Sequence, residues 1–163
     1  LNVARDRIDA DVMNRLAHSR ALARLTSLDV SGNPLGVGGV TELGRAKHLK
    51  QLQSLNLSNT DLGAAGLQRL AELTNLPALR HLDLSQNENG SEGLEVFLSS
   101  PLFAQLSSLS LAASNQFDDE CAKMLAAVPD SANLQRLDLW HLRIKKRYAD
   151  KLRQRFGKGL RAF

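Results

Sequence analysis

The sequence is poor in the residue types that build disulfide frameworks and metal sites. Cys121 is its single cysteine, which excludes an internal disulfide and a cysteine-based zinc site. Aromatic residues make up 4% of the chain, and none of its four histidines pairs with another at the i, i+4 spacing of a helical metal site. No apolar run approaches the roughly 18 residues that a membrane-spanning helix needs, so no transmembrane helix is expected.

Leucine, by contrast, is in large excess and fills 32 of the 163 positions. Hydrophobic residues make up 43% of the chain and charged residues 23%. This is enough apolar material for a packed core, which excludes an intrinsically disordered chain. A core that is built almost entirely from one aliphatic side chain indicates one local environment that is used many times.

The leucines recur with a period of about 27 residues. The pattern Leu-x-x-Leu-x-Leu, with Val at its last position in the first copy, starts at Leu25, Leu52, Leu79, Leu106 and Leu134. Its alternation is typical of a short strand. The later part of each unit spaces apolar residues three, four and seven apart, which predicts an amphipathic helix. Neither half can bury its apolar side alone, so the units are expected to stack.

The unit resembles a leucine-rich repeat, L-x-x-L-x-L-x-x-N-x-L. The column of the repeat's Asn reads Asp6, Asn33, Thr60, Asn87, Asn115 and Leu142. The resemblance implies that this Asn bonds backbone groups of adjacent turns, which Thr60 can do in part and Leu142 cannot. The helical second half is similar to the ribonuclease-inhibitor-like subclass. The ending at 152–159 is similar to that of bacterial cytoplasmic leucine-rich repeat proteins of the repeat-companion type.

The resemblance implies an α/β fold: a right-handed leucine-rich repeat solenoid with a parallel sheet on its concave face and helices on its convex face. We expect a single domain over residues 1–163. A partial repeat at 1–24 precedes full repeats at 25–51, 52–78, 79–105 and 106–133, and an atypical capping repeat follows at 134–163. Because the sequence opens within a repeat and without Met, we interpret it as a piece of a longer protein.

The function that this resemblance implies is non-catalytic recognition of a protein partner on the concave face, in the cytoplasm. Two alternatives stay open. The chain could be the C-terminal part of a larger regulatory or effector protein whose missing N-terminal module carries the activity, or it could bind a polyanion through its basic C-terminal repeat. No enzyme activity, cofactor, metal or membrane contact is expected. Nucleic acid is a disfavoured partner because no aromatic residues interleave a long basic groove.

The residues between the leucines are expected to line the concave face. The column between the second and third apolar positions reads Asn2, Asp29, Asn56, Asp83, Ser110 and Asp138, so that no two Asp residues are neighbours. This column is either a solvated, hydrogen-bonded ladder or a mildly acidic recognition stripe. The flanking columns are mostly Ser and Ala. Candidate binding residues on this face are Asp29, Asn56, His81, Asp83, Arg136, Asp138, Trp140 and His141.

Trp140 has two possible roles in this pattern. With Arg136 and His141 it forms the best anchor cluster of the face, because binding hot spots favour Trp, Tyr and Arg. Alternatively, Trp140 and Leu142 cover the open end of the leucine core, as terminal caps of repeat proteins do.

Positive charge is concentrated at the C-terminus. Residues 143–163 hold nine of the 21 Lys and Arg residues but one of the 17 acidic residues. Lys145, Lys146 and Arg147 fall at a predicted helix N-terminus, where the helix dipole favours acidic side chains. They are candidate anion-binding residues; the alternative is a polar cap that blocks further stacking.

Two further features are explained by the repeat. Cys121 lies within an aliphatic pattern and is expected to be a packed structural residue. Gly36, Gly63 and Gly90 recur with the repeat, and we expect them, together with the Gly38–Gly39 pair, to be turn glycines.

Overall fold

The chain folds as a series of strand–helix units. The computed structural model describes residues 1–114, 116–129 and 133–162. Within these ranges six strands form one parallel sheet in sequence order. The strands are β1 (Ser27–Asp29), β2 (Ser54–Asn56), β3 (His81–Asp83), β4 (Ser108–Ser110), β5 (Arg136–Leu139) and β6 (Leu160–Ala162). This is the predicted α/β solenoid with an open parallel sheet.

A helix separates each strand from the next, and successive main helices pack against one another. The helices are α1 (Ala10–His18), α2 (Gly36–Gly44), α3 (Gly63–Ala71), α4 (Gly90–Leu98), α5 (Pro101–Ala104), α6 (Asp119–Ala127) and α7 (Lys146–Phe156). Short 3-10 turns lie at Arg20–Leu22 and Gly157–Gly159. The four-residue α5 begins at a proline, whose missing N–H and fixed φ suit the first helical position.

The repeat period sets the register of the sheet. The middle leucine of each strand lies opposite the same leucine of the next strand, and each is at most 3% exposed. The column consists of Leu28, Leu55, Leu82, Leu109 and Leu137. Because side chains alternate along a strand, the residues on either side of each leucine are directed away from the core.

A buried asparagine ties neighbouring units together through their backbones. The Oδ1 of Asn87 accepts hydrogen bonds from the N–H groups of Thr60 and Leu62, at 3.0 and 3.3 Å. Its Nδ2 donates to the carbonyl of Leu57 at 2.8 Å. Asn33 makes an equivalent set of bonds between the first two units. Two residues that are 2% exposed thus satisfy backbone groups that would otherwise be buried without partners.

The other members of this column contribute less. The Thr60 hydroxyl donates to the Leu57 carbonyl at 2.6 Å, within its own unit, so it fills the role in part. Asn115 lies outside the described residues. Leu142 is buried in the hydrophobic core and adds apolar contact in place of hydrogen bonds.

The last residues form a strand that the repeat pattern does not predict. β6 pairs with β5 and sets Arg161 opposite Asp138. The two residues are 23 positions apart in the chain, and this separation is shorter than the repeat period. The close approach requires Gly159, because a Cβ at that position would collide with the carbonyl oxygen of Gln135. The C-terminal edge of the sheet is therefore β6.

The C-terminal end of the core is covered by α7 and the residues beside it. Leu142, Leu152 and Phe156 are buried there, each at most 9% exposed. Trp140 is 37% exposed and is not part of the buried core. One interpretation of the sequence expected both Trp140 and Leu142 to cover the open end of the core. Leu142 is buried there, whereas Trp140 is not.

The glycines follow the repeat in two ways. Gly36, Gly63 and Gly90 have φ between +53° and +59°, which agrees with their prediction as turn residues. The same prediction is wrong for the Gly38–Gly39 pair, which lies inside α2. A Cβ at Gly39 would lie 2.8 Å from the Leu35 Cβ, so the absence of a side chain there serves close packing.

We expect Asn87→Ala to lower the free energy of unfolding by about 3 kcal/mol or more, because it leaves several buried backbone groups without partners. Thr60→Val removes one hydrogen bond within a unit and is expected to cost about 1 kcal/mol. Urea denaturation of both variants gives the comparison. Equal losses for the two variants would contradict the proposed bridging role of Asn87.

Candidate functional site

The side of the sheet that faces away from the core is here called the sheet face. Its central column pairs in the predicted order, which runs Asn2, Asp29, Asn56, Asp83, Ser110 and Asp138. Arg161 of β6, which was not predicted, extends this column. One flanking column consists of Ser27, Ser54, His81, Ser108 and Arg136. The other consists of Ser31, Ser58, Ser85, Ala112 and Trp140. The face is therefore a floor of small polar groups with its large side chains at the C-terminal end.

The Asp and Asn residues of the central column close the turns that follow the strands. The Oδ1 of Asp29 accepts the N–H of Ser31 at 2.9 Å, and Asp83 does the same for Ser85. Equivalent bonds of 2.9 Å are made by Asn2, Asn56 and Asp138. Such Asx turns require a side-chain oxygen rather than a charge. Asp29, Asn56 and Asp83 thus have a structural role that the sequence pattern alone did not reveal.

A hydroxyl network continues this ladder from β3 to β4. The Oγ of Ser85 lies 2.6 Å from Oδ1 of Asp83 and 2.6 Å from Oγ of Ser110. Asp83 is half-buried and accepts from both the N–H and the hydroxyl of Ser85. The centre of the floor is thus held by hydrogen bonds between its own side chains.

The large side chains of the sheet face form two groups of contacts, one between Arg136 and His81 and one around Trp140. We call His81, Arg136, Trp140, His141 and Arg161 the anchor cluster. The guanidinium of Arg161 lies over the Trp140 ring, 5.3 Å from its centroid. The rings of Trp140 and His141 pack edge to face with centroids 4.8 Å apart. Cation–π and aromatic contacts of this kind hold the exposed Trp140 ring from two sides.

Arg136 extends across the sheet toward His81. Its Nη2 lies 3.4 Å from Nδ1 of His81, although the two residues belong to β5 and β3. The small Ser108 on β4 leaves the path between them open, and Oγ of Ser107 lies 3.5 Å from the same ring nitrogen. Because a guanidinium can only donate, Nδ1 of His81 is the acceptor in this contact.

Arg161 is the member of the cluster that sequence reasoning missed. Besides its contact with Trp140, it places Nη1 3.3 Å from Oδ2 of Asp138. The repeat period assigned this residue to a basic tail. The available signal was the alternation of Leu160, Arg161 and Ala162, which has an apolar–charged–apolar pattern like that of the strands.

The three candidate anion-binding residues lie at the start of α7, as their position predicts. Two of them already contact neighbouring side chains. Lys145 forms an ion pair with Asp119. Arg147 donates a hydrogen bond of 2.9 Å to the Tyr148 hydroxyl, and its guanidinium lies 4.6 Å from the centroid of that ring.

The preceding helix begins in the usual way. The Oδ1 of Asp118 accepts the N–H of Cys121 at 3.0 Å and caps α6, and this hydrogen bond lowers the pKa of Asp118. The Cys121 side chain is buried, and its burial raises the thiol pKa to about 11. A buried thiol that remains protonated near neutral pH is a packing residue and a poor nucleophile.

Neither a cluster of metal ligands nor a membrane-spanning helix is found in the described ranges. Residues 1–114, 116–129 and 133–162 contain no group of three or more His, Cys, Asp or Glu side chains that could hold a metal ion. In the same ranges no helix combines the length and apolar character needed to cross a bilayer.

Comparison with known proteins agrees with the repeat. Residues 24–44, 48–71 and 75–98 match the family model described as leucine-rich repeat. None of the curated proteins matches the chain.

Solved structures share the fold at low identity. A Bacteroides fragilis protein superposes with a TM-score of 0.66 and 21% identity, over 85% of this chain and 40% of that one. The C-terminal domain of Caenorhabditis elegans tropomodulin superposes with a TM-score of 0.57 and 16% identity, over 98% of this chain and 82% of that one. The chain thus spans less than half of the Bacteroides fragilis protein, and these identities establish the fold alone.

The Asx turns lead to a prediction that separates charge from structure in the central column. Asp83→Asn retains the Oδ1 acceptor and should change the free energy of unfolding by less than about 0.5 kcal/mol, whereas Asp83→Ala should cost about 1 kcal/mol. Chemical denaturation measures both. A loss for Asp83→Asn as large as that for Asp83→Ala would mean that the charge itself stabilises the fold.

Three observations agree on the nature of the repeat. The period of about 27 residues sets the sheet register, the asparagine column bridges adjacent units, and a repeat model matches three consecutive units. The chain thus contains three units that match the leucine-rich repeat within residues 24–98, and the same strand–helix order continues through the described fold.

Proposed function

We propose that this chain is a non-catalytic scaffold that recognises a protein partner on its sheet face. Leucine-rich repeats suggest a protein-interaction scaffold, and this is the general basis of the proposal. The observation that carries it is the position of Trp140, which is 37% exposed at the end of a floor of small polar side chains. Large exposed aromatic residues beside Arg are typical of binding hot spots.

The rigidity of the face supports this proposal. Its turns are fixed by Asx hydrogen bonds, and its units are tied together by Asn33 and Asn87. The Trp140 ring is held between Arg161 and His141. Groups that are already ordered lose little conformational entropy on binding, so more of the contact energy becomes affinity.

The basic end of the molecule gives weaker support to polyanion binding. Of the three candidate residues, Lys145 is already paired with Asp119, and Arg147 lies against Tyr148. A polyanion would have to compete with the ion pair at Lys145. The other alternative, an activity carried by another module of a larger protein, is compatible with a scaffold role and would make this chain its recognition part.

The proposal predicts which surface contacts the partner. A photoreactive benzophenone residue placed at Ser58, on the sheet face, should form adducts with a protein from a lysate of the source organism. The same residue at Val96, which is 45% exposed on α4, should not. Adding Trp140→Ser to the Ser58 variant should reduce adduct yield about tenfold, because loss of a hot spot costs more than about 1.4 kcal/mol.

Two measurements make this experiment decisive. Circular dichroism melting checks that each variant remains folded. We expect Trp140→Ser to remain folded because Trp140 lies outside the buried core. Adducts that form from Val96 alone, or that form from Ser58 at the same yield after Trp140→Ser, would contradict recognition by the sheet face.

A further inference from the structure

We propose that the segment bound at the anchor cluster is acidic, with a carboxylate seated on Arg136 and an apolar side chain seated on Trp140. This inference rests on the proposed recognition by the sheet face and adds the chemistry of the partner. It follows from the balance of charge within the cluster, from the spacing of its residues and from the carboxylates of Asp29 and Asp83 on the rest of the sheet face.

The cluster has more cationic than anionic groups. Asp138 is the carboxylate that pairs with a member of the cluster, and both oxygens of Asp138 are in use. Oδ1 accepts the N–H of Trp140 at 2.9 Å, and Oδ2 faces Arg161 at 3.3 Å. Arg136 is exposed and forms no ion pair within the described residues; its contact is with the ring nitrogen of His81. A carboxylate is the group that complements such a guanidinium best.

The spacing within the cluster constrains the ligand. The Cα atoms of Arg136 and Trp140 are about 13 Å apart at the rise of a strand. The Arg136 side chain leads away from Trp140 and across the sheet to His81 on β3. An extended segment that contacts both groups would therefore cross the strands obliquely, with an acidic residue and an apolar residue at least four positions apart. The exposed ring of Trp140 supplies the apolar contact.

The rest of the sheet face gives this ligand a direction. Asp83 lies two strands from β5, about 10 Å away, and Asp29 lies two strands further. Both carboxylates disfavour acidic groups over the floor, since like charges across an interface are repelled. The acidic residue of the segment is therefore confined to the Arg136 guanidinium beside His81, and the part of the segment that lies over Asp83 and Asp29 is neutral.

The basic residues of α7 would also attract an acidic ligand, so the test must separate the two surfaces. Lys151 and Arg143 are exposed cations outside the anchor cluster. The double variant Arg143→Gln/Lys151→Gln therefore removes the same charge as Arg136→Gln/Arg161→Gln but leaves the sheet face unchanged. It is the matched control.

The probe is a displayed library of random 12-residue peptides, selected against the intact chain. We expect enriched peptides to carry Asp or Glu at least four positions from Leu, Phe, Tyr or Trp. Fluorescence anisotropy with a synthetic copy of the most enriched peptide should show at least a tenfold weaker Kd for Arg136→Gln/Arg161→Gln and for Trp140→Ser. The control double variant should stay within twofold of the wild type. Circular dichroism checks the fold of each variant.

The outcomes distinguish this inference from the function on which it rests. Enrichment of neutral or basic peptides that lose binding with Trp140→Ser would overturn the acidic ligand and leave sheet-face recognition standing. Acidic peptides whose binding is lost only in the control double variant would assign the site to the basic C-terminal repeat, and both proposals would fail. Equal losses in the two double variants, or no enrichment, would overturn the acidic ligand.

Discussion

The structure depends on the way that buried backbone groups between neighbouring units find hydrogen-bond partners. In the turns that follow the short strands, some backbone groups pair directly with the adjacent unit, as the Gly32 N–H does with the Ser58 carbonyl at 2.9 Å, whereas others lie next to the leucine core without a backbone partner. Asn87 and Asn33 supply the missing partners from the adjacent unit. Since an unpaired buried N–H or C=O costs as much as a lost hydrogen bond, these amides set the distance and register between units. The spacing of every residue on the sheet face follows from that register.

The sequence predicted what the period controls. The leucine column, the order of the central polar column and the start of α7 all recur at fixed offsets, so that one unit indicates the others. It could not predict β6, because Arg161 pairs 23 residues after Asp138 and the period does not apply there. It offered a hydrogen-bonded ladder as one interpretation of the column of Asp29 and Asp83, but it did not predict their Asx turns, because column comparison does not detect a local backbone arrangement.

Most residues of the candidate site could be identified from the sequence, but the contacts between their side chains could not. Arg136, Trp140 and His141 were identifiable because they interrupt columns of small residues. Their contacts depend on side-chain reach: Arg136 crosses a strand to meet His81, and Arg161 enters from a strand outside the repeat. One interpretation of the sequence assigned the acidic column to partner recognition. In the structure its Asp29, Asp83 and Asp138 side chains accept the N–H groups that close the following turns. Turn-closing hydrogen bonds thus occur along the whole sheet face, from Asn2 to Asp138, and most of the large side chains lie at its C-terminal end.

β6, like β1, has one strand neighbour within the described sheet, but unlike β1 it takes no part in the repeat period. A substitution in β2 or β3 must fit partners on both sides and preserve the register of the whole stack. A substitution at Arg161 has to fit β5 alone, provided that Gly159 is kept. The surface chemistry at this end can therefore change in single steps while the solenoid beneath it stays the same. In evolution or in engineering, β6 is the strand whose exposed side chain can be altered at the least cost to folding.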